Sequence, residues 1–222
     1  MSDASAQSPA AKLALQLAPA VADERVLAAV ASIPRERFVP RAQRRRAYAN
    51  VALPIACGQT ISQPLVVARM LELLELRETD RVLDVGTGSG YHAALLALLV
   101  DEVFTIERHS QLSEKAATTV RELGLDNVSF FVGDGWAGLP EQSPFDAINV
   151  AAATGPDPPA TLEGQLAEGG RLIAPVGDAN QYLTLARRTP AGIDHERLEG
   201  VRFVPLVQER GVGDPPPTSP AG

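Results

Sequence analysis

Arg81-Val82-Leu83-Asp84-Val85-Gly86-Thr87-Gly88-Ser89-Gly90-Tyr91 is the stretch on which the fold turns. It begins as a short apolar run that stops at a glycine, the pattern of a buried strand. It ends by entering residues 91–100, a strongly apolar segment of helical length. Between the two lies G-x-G-x-G. Strand, glycine loop and helix in that order form the context of a nucleotide-binding turn. Glycines there let the chain turn sharply and let a ligand approach without a Cβ in the way. The spacing narrows the ligand class. A dinucleotide fingerprint would place its third glycine at position 91, which Tyr91 occupies. A P-loop would end in Gly-Lys-Ser/Thr, and this loop does not. The tighter spacing suits a ligand without a pyrophosphate, such as S-adenosylmethionine (SAM).

Outward from this stretch, strands and helices alternate. EVFTIE, NVSFFVGD and FDAINVA read as further strands, with an amphipathic helix over residues 112–123 stopped by Gly124. Residues 161–167 look helical and lead into a Gly169-Gly170 turn, after which RLIAPVG and QYLTLARR read as strands. Strands separated by helices imply parallel βαβ units and hence an α/β, doubly wound, mostly parallel sheet. The last strands lack intervening helices, so that edge is expected to be antiparallel. Upstream, residues 21–33 carry helical spacing that Pro34 ends, since the residue before a proline avoids the α region. Residues 54–60 read as a loop or short strand. Pro64 opens another helix, with Ser62 as its expected cap.

The 222 residues, 45% hydrophobic and 21% charged, suit one globular domain. No apolar run approaches the roughly 18 residues of a membrane span. A net charge of −7 disfavours phosphate backbones as partners. One cysteine, Cys57, forms no internal disulfide, and three histidines with one cysteine offer little for structural zinc. Residues 1–20 lack the basic and apolar regions of a secretory signal and are expected to be a mobile tail, turning helical towards Leu17. Residues 211–222 hold four prolines and three glycines and are expected to be disordered. The single domain is therefore drawn at 21–210, and the cytosol is the default location.

Two further features follow the next two strands. Glu107 closes EVFTIE 17 residues beyond Gly90, where a carboxylate can accept both ribose hydroxyls of an adenosyl group. Gly133-Asp134-Gly135 closes the next strand, where Asp134 can accept from an adenine amine. Each has a plainer reading alone: a helix-capping turn, a solvated acid, a turn residue. Their placement after three successive strands points jointly to an adenosyl cofactor, because open α/β sheets bind ligands at strand C-termini. No Ser-His-Asp or Cys-His arrangement is evident. His92, His109 and His195 read as packing or surface residues, and Cys57 as packing. Methyl transfer to a carboxylate needs no strong base, since the acceptor is already ionised at pH 7; it rests on positioning.

Ala52-Leu53-Pro54-Ile55 and Gly58-Gln59-Thr60-Ile61-Ser62-Gln63-Pro64 closely resemble the signature of protein-L-isoaspartate O-methyltransferases. The resemblance continues through the glycine loop, Thr105-Ile106-Glu107-Arg108, Gly133-Asp134-Gly135, Pro144-Phe145-Asp146-Ala147-Ile148, Pro175-Val176-Gly177 and Val201-Arg202-Phe203-Val204-Pro205-Leu206. It implies the seven-stranded, Rossmann-like sheet of SAM-dependent methyltransferases, with residues 21–78 forming an N-terminal helical and substrate-loop part and 79–210 the SAM-binding sheet. It also implies a strand order that departs from the usual one near the C-terminus. It implies methylation of the α-carboxylate of L-isoaspartyl residues in damaged proteins, after which the ester collapses without enzyme to a succinimide. By resemblance Ser62 is the active-site hydroxyl, with Thr60 and Val204 beside it against the substrate. Asp84, Gly86, Thr87, Gly88, Ser89, Gly90, Glu107, Arg108, Asp134 and Gly135 fall on cofactor positions. SAM is the methyl donor, no metal is required, and a monomer acting on isoaspartyl proteins without nucleic acid or membrane is expected. The chain departs from its relatives at Asn50, where they commonly carry aspartate, and at Ala56, where they often carry glycine. Those departures leave open a carboxyl methyltransferase with a dedicated peptide or small-molecule acceptor; a SAM-binding protein without catalysis is a separate alternative, against which the intact Thr60-Ile61-Ser62 counts.

Overall fold

The computed structural model describes residues 8–207. Two helices lead, α1 (Pro9–Leu17) and α2 (Glu24–Ser32), capped by the side chains of Ser8 and Asp23 on the amides of Ala11 and Arg25. Ala10, Leu13, Ala14 and Leu17 are all buried on the stripe that α1 turns inward, and α1 packs against α2. The expected N-terminal tail thus includes an ordered helix whose inner stripe packs on the core. Only residues 1–7 of it, and the proline-rich end from 208 onward, lie outside the described residues.

Short 3-10 turns at Arg35–Phe38 and Arg41–Arg46 lead to a two-stranded ribbon, β1 (Leu53–Pro54) and β2 (Thr60–Ile61), around a third turn at Ala56–Gly58. Helix α3 (Pro64–Leu73) follows, with proline in its first turn. The sheet proper begins at β3 (Arg81–Val85) and continues through α4 (Tyr91–Leu96), β4 (Glu102–Glu107), α5 (Ser110–Arg121), β5 (Val128–Val132) and β6 (Phe145–Val150). A single helical turn, α6 (Ala160–Glu163), precedes β7 (Leu166–Val176), β8 (Gln181–Thr189) and β9 (Gly192–Val201).

The seven strands order as β5-β4-β3-β6-β7-β8-β9. The first five run parallel, while β8 and β9 return antiparallel as a meander. Alternate residues face opposite covers. Val82, Val103, Ala147 and Ile173 join the core with α1 to α4, and Leu83, Phe104, Ile148 and Leu172 join the other. Chain progress reverses between β3 and β6, so the loops leaving their C-terminal ends diverge and open a crevice.

Four local expectations are corrected. The helix at Tyr91 stops at Leu96. The helix expected over 161–167 is only α6, because Leu166 already begins β7, which runs through Gly169-Gly170 past a register shift opposite Phe145 and Ala147. GIDHERLEGV, unassigned from the sequence, is the edge strand β9. Ser62 does not cap α3: the Asn50 Oδ1 accepts from the Leu65 amide at 3.0 Å, reaching the helix from 15 residues upstream.

Two buried arginines tie the N-terminal part to the sheet and to the loops. Arg171 on β7 donates to the carbonyls of Leu74, Glu75 and Asp146 and pairs with Asp80. Arg35 donates through Nε to the Ala47 carbonyl at 2.7 Å and through Nη2 to those of Ser62 (3.0 Å) and Val51 (3.3 Å). Its guanidinium also lies 5.1 Å from the centre of the Tyr91 ring. Burial pulls its pKa down to about 10.

Candidate active site

The crevice at the switch point is built by the glycine loop, the C-terminal ends of β4 and β6, and the segment after β9. The Gly86 amide donates to the Ile106 carbonyl at 2.9 Å, which folds the loop back over β4. Gly88 donates to Glu107 Oε2 at 2.9 Å, and His109 to Glu107 Oε1 at 3.0 Å. Glu107 is thereby fixed, 6% exposed, with a lone pair left on each oxygen. It borders a groove with Gly86, Gly88, Arg108, His109 and Gly135, closed on the far side by Val204 to Val207. This donor and acceptor set fits an adenosyl group: a carboxylate for vicinal hydroxyls, glycines where a ligand edge must come close, and apolar walls. Ser89 and Thr87 border the adjoining recess beside Ser62.

Asp84 stands elsewhere. It is fully buried, with Oδ1 accepting from Asn149 and Oδ2 from Thr105, both at 2.8 Å. Thr105 in turn meets Thr87 at 2.6 Å. Asp84 therefore reaches the glycine loop through two hydroxyls and does not face the groove. Desolvation lifts its pKa to about 6, opposed by those two hydrogen bonds. Gly90 also stands apart from the groove. At φ +87° it starts α4, and a Cβ on it would lie 2.8 Å from that of Ala116 on α5, so its role is close helix packing. Asp134 accepts from the Trp136 amide at 2.9 Å in the turn after β5.

A second, larger cleft of about 770 Å³ opens beside the groove. Ser62, Gln63 and Ala52 line one side, and Tyr182 and 200–204 the other. Thr60, Ala151 and Val204 border both spaces, and Ser62 borders the cleft and the recess under the glycine loop. The Ser62 hydroxyl is half-buried and makes no hydrogen bond among the described residues, while its own carbonyl is held by Arg35.

Several supports of this site carry no signature in the sequence. The Gln181 amide grips both ends of Phe203, accepting from its N at 2.6 Å and donating to its O at 3.2 Å. Trp136 Nε1 donates to the Leu206 carbonyl at 2.9 Å, and Ala153 exchanges hydrogen bonds with Val204 and Leu206. Together they lay the 203–206 segment across the mouth of β6. Cys57, expected to pack, is exposed on left-handed backbone at φ 57°. His92 is buried, and desolvation drops its pKa to about 4, so its imidazole is neutral at pH 7. His195 lies on β9, 2.6 Å from Glu163 and away from the crevice. No group of three or more His, Cys, Asp or Glu able to hold a metal ion occurs among the described residues. No described helix is long and apolar enough to cross a membrane.

Comparison with known proteins places these features in a lineage. The family model for protein-L-isoaspartate(D-aspartate) O-methyltransferase matches residues 12–211. A protein-L-isoaspartate O-methyltransferase of Koribacter versatilis is 50% identical over 192 residues, 86% of either chain. One of Yersinia pestis is 53% identical over 186 residues, covering 84% of this chain and 89% of that one. A crystal structure of a Plasmodium falciparum protein described as a putative enzyme of the same name, in complex with S-adenosyl-L-homocysteine, superposes with a TM-score of 0.79. It is 26% identical, and the match covers 90% of this chain and 99% of that one. A further solved protein-L-isoaspartate O-methyltransferase gives 0.78 at 30% identity over 87% of this chain, which spans 64% of that longer one.

Proposed function

The chain belongs to the protein-L-isoaspartate(D-aspartate) O-methyltransferase family, and on that premise we propose how its residues divide the work. The enzyme methylates isoaspartyl residues of damaged proteins with SAM as donor, the step that starts their repair. Bound SAM supplies an electrophilic methyl group on a sulfonium. Glu107 would accept from the ribose hydroxyls, with Gly86, Gly88 and Gly135 letting the ligand lie against backbone and Arg108 bordering its rim. Thr87 and Ser89 shape the recess that adjoins that groove. Asp134 serves the adenine end, while Asp84 acts from behind as a brace. Ser62 would donate its hydroxyl to the acceptor carboxylate, with Thr60 and Val204 forming the walls of the passage.

The observation that carries this reading is the shared border: Thr60, Ala151 and Val204 line both the cofactor groove and the large cleft. An acceptor in the cleft and a donor in the groove can meet across that border. The carboxylate arrives ionised, so the protein has only to align it and exclude water. The neutral, buried His92 is in keeping with a reaction that needs no strong base. The N-terminal helices and the sheet work as one domain, and we read the enzyme as a cytosolic monomer that takes protein substrates rather than nucleic acid or membrane.

The test is transfer of label from SAM to an isoaspartyl peptide and to its aspartyl twin. Labelling confined to the isoaspartyl peptide is expected; equal or absent labelling would remove the assignment. Asn50 and Ala56 are the residues that favour a dedicated acceptor. Asn50 bears on it less than its sequence suggests, because the contact it makes is an acceptor on the α3 amide that aspartate could equally supply.

A further inference from the structure

We propose that Arg41, Arg44, Arg45 and Arg46 form a docking surface for acidic polypeptide flanking the isoaspartyl residue. The proposal rests on the function assigned above and extends it to the rest of the substrate chain. All four side chains are exposed on the 3-10 turn Arg41–Arg46, and none makes an ion pair among the described residues. Arg25, Arg37, Arg69, Arg81, Arg171 and Arg187 each have a carboxylate partner, and the other exposed unpaired arginines, Arg77, Arg108, Arg121, Arg197 and Arg202, stand singly in the sequence, so what sets the four apart is their clustering on one turn. Four uncompensated cations thus stand together on a chain whose net charge is −7.

The patch is also held at a set place. Ala47, the residue after the run, gives its carbonyl to the same Arg35 guanidinium that holds the carbonyl of Ser62. Asn50 then pins the start of α3, and Ala52 lines the large cleft. The turn is therefore fixed to the wall that carries the active-site serine. None of the four lines the cleft itself, so they would meet the flanking residues of a peptide that leaves it past Ala52 along this wall. Within a Debye length of about 10 Å at 0.1 M salt, acidic side chains on that peptide would be drawn to them. Methylation converts one carboxylate to a neutral ester, so the product is held less strongly than the substrate.

The experiment compares the wild type with R41Q/R44Q/R45Q/R46Q on two isoaspartyl peptides that differ only in glutamate or glutamine flanks. Initial rates are measured at low salt and at about 0.3 M salt, where surface attraction is largely screened. The wild type is expected to favour the acidic peptide by about tenfold in kcat/KM at low salt, the gain lying in KM and fading with salt. The variant should use both peptides alike, with kcat for the neutral one unchanged. A second variant, Arg45→Glu, should reverse part of the preference. No acidic preference in the wild type would overturn the proposal, as would a preference that survives in the variant, which would assign it to the exposed, cleft-lining Arg202. If neither peptide is methylated, the functional assignment fails on its own. The patch is then judged by anisotropy of the labelled acidic peptide, where binding lost in the variant supports it and unchanged binding overturns it. Tighter patch-dependent binding of an oligonucleotide or an anionic vesicle than of the acidic peptide would also overturn it.

Discussion

Replacing Arg35 with lysine keeps the charge and removes the geometry. The guanidinium spreads its donors over three carbonyls, those of Ala47, Val51 and Ser62, at 2.7, 3.3 and 3.0 Å. A single ammonium on a shorter stem cannot reach all three. The buried Ala47 carbonyl left without a partner costs about 1–3 kcal/mol, and the part-buried carbonyls of Ser62 and Val51 less. The charge itself is a burden: burial pulls the pKa down to about 10, which corresponds to roughly 3 kcal/mol against folding at pH 7. Lysine retains a similar burden with fewer bonds to offset it, whereas methionine loses the bonds and the burden together. Arg35→Lys should therefore lower stability by about 2–4 kcal/mol, a fall of roughly 4–16 °C in Tm for a domain of this size. Arg35→Met should fall no further than that. Calorimetric melting of both variants measures the pair. Because the Ser62 carbonyl is released, peptide turnover below both melting points should drop while SAM affinity holds. An unchanged melt for Arg35→Lys, or a methionine variant far less stable than the lysine one, would refute the reasoning.

Three other outcomes follow. Glu107→Gln removes the charge that receives the ribose hydroxyls and should weaken SAM binding roughly ten- to hundredfold, read by titration calorimetry; unchanged affinity would mean that the ribose lies elsewhere. Ser62→Ala should lower kcat by about tenfold or more and leave Tm in place, while Asn50→Ala should cost about 1 kcal/mol of stability as the true cap of α3; the opposite pattern would return the capping role to Ser62. For Asp84, a folded pKa raised from 3.8 to about 6 means that the folded state holds its proton more tightly. Its contribution is fully present below pH 3.8 and is lost as pH rises through about 6, roughly 3 kcal/mol in all. Asp84→Asn should flatten that part of the stability–pH curve, and an unaltered slope in urea titrations would count against it.

The parallel half of the sheet and the cofactor groove were legible because their signals are local. RVLDV and EVFTIE are buried on both faces and read as continuous apolar runs, and the glycine loop sits directly between strand and helix. The rest depended on partners distant in the chain. β9 escaped notice because an outer strand with little burial shows no apolar alternation: Asp194, His195, Glu196 and Arg197 are successive and all exposed. The start of β7 resembled helix because TLEGQLA has a helix former's composition, and only pairing with β6 overrides it. Arg35, Asn50, Trp136 and Gln181 bond to backbone atoms 12 to 70 residues away, so no spacing betrays them. The sequence did mark α1, through apolar residues at 10, 13, 14 and 17, but reading it as tail discounted a regular helical stripe.

β9 leaves one row of backbone donors and acceptors open along the margin of the sheet. An enzyme that works on damaged proteins meets partly unfolded chains, which present strands of their own looking for a partner. A smooth apolar margin would invite them to add on. The charged side chains of Asp194, Glu196, Arg197 and Glu199 make that addition costly, since a strand laid alongside would have to accommodate them. The same ten residues that hid the strand from its sequence thus work as insulation, letting the cleft handle aberrant polypeptide while the scaffold refuses it.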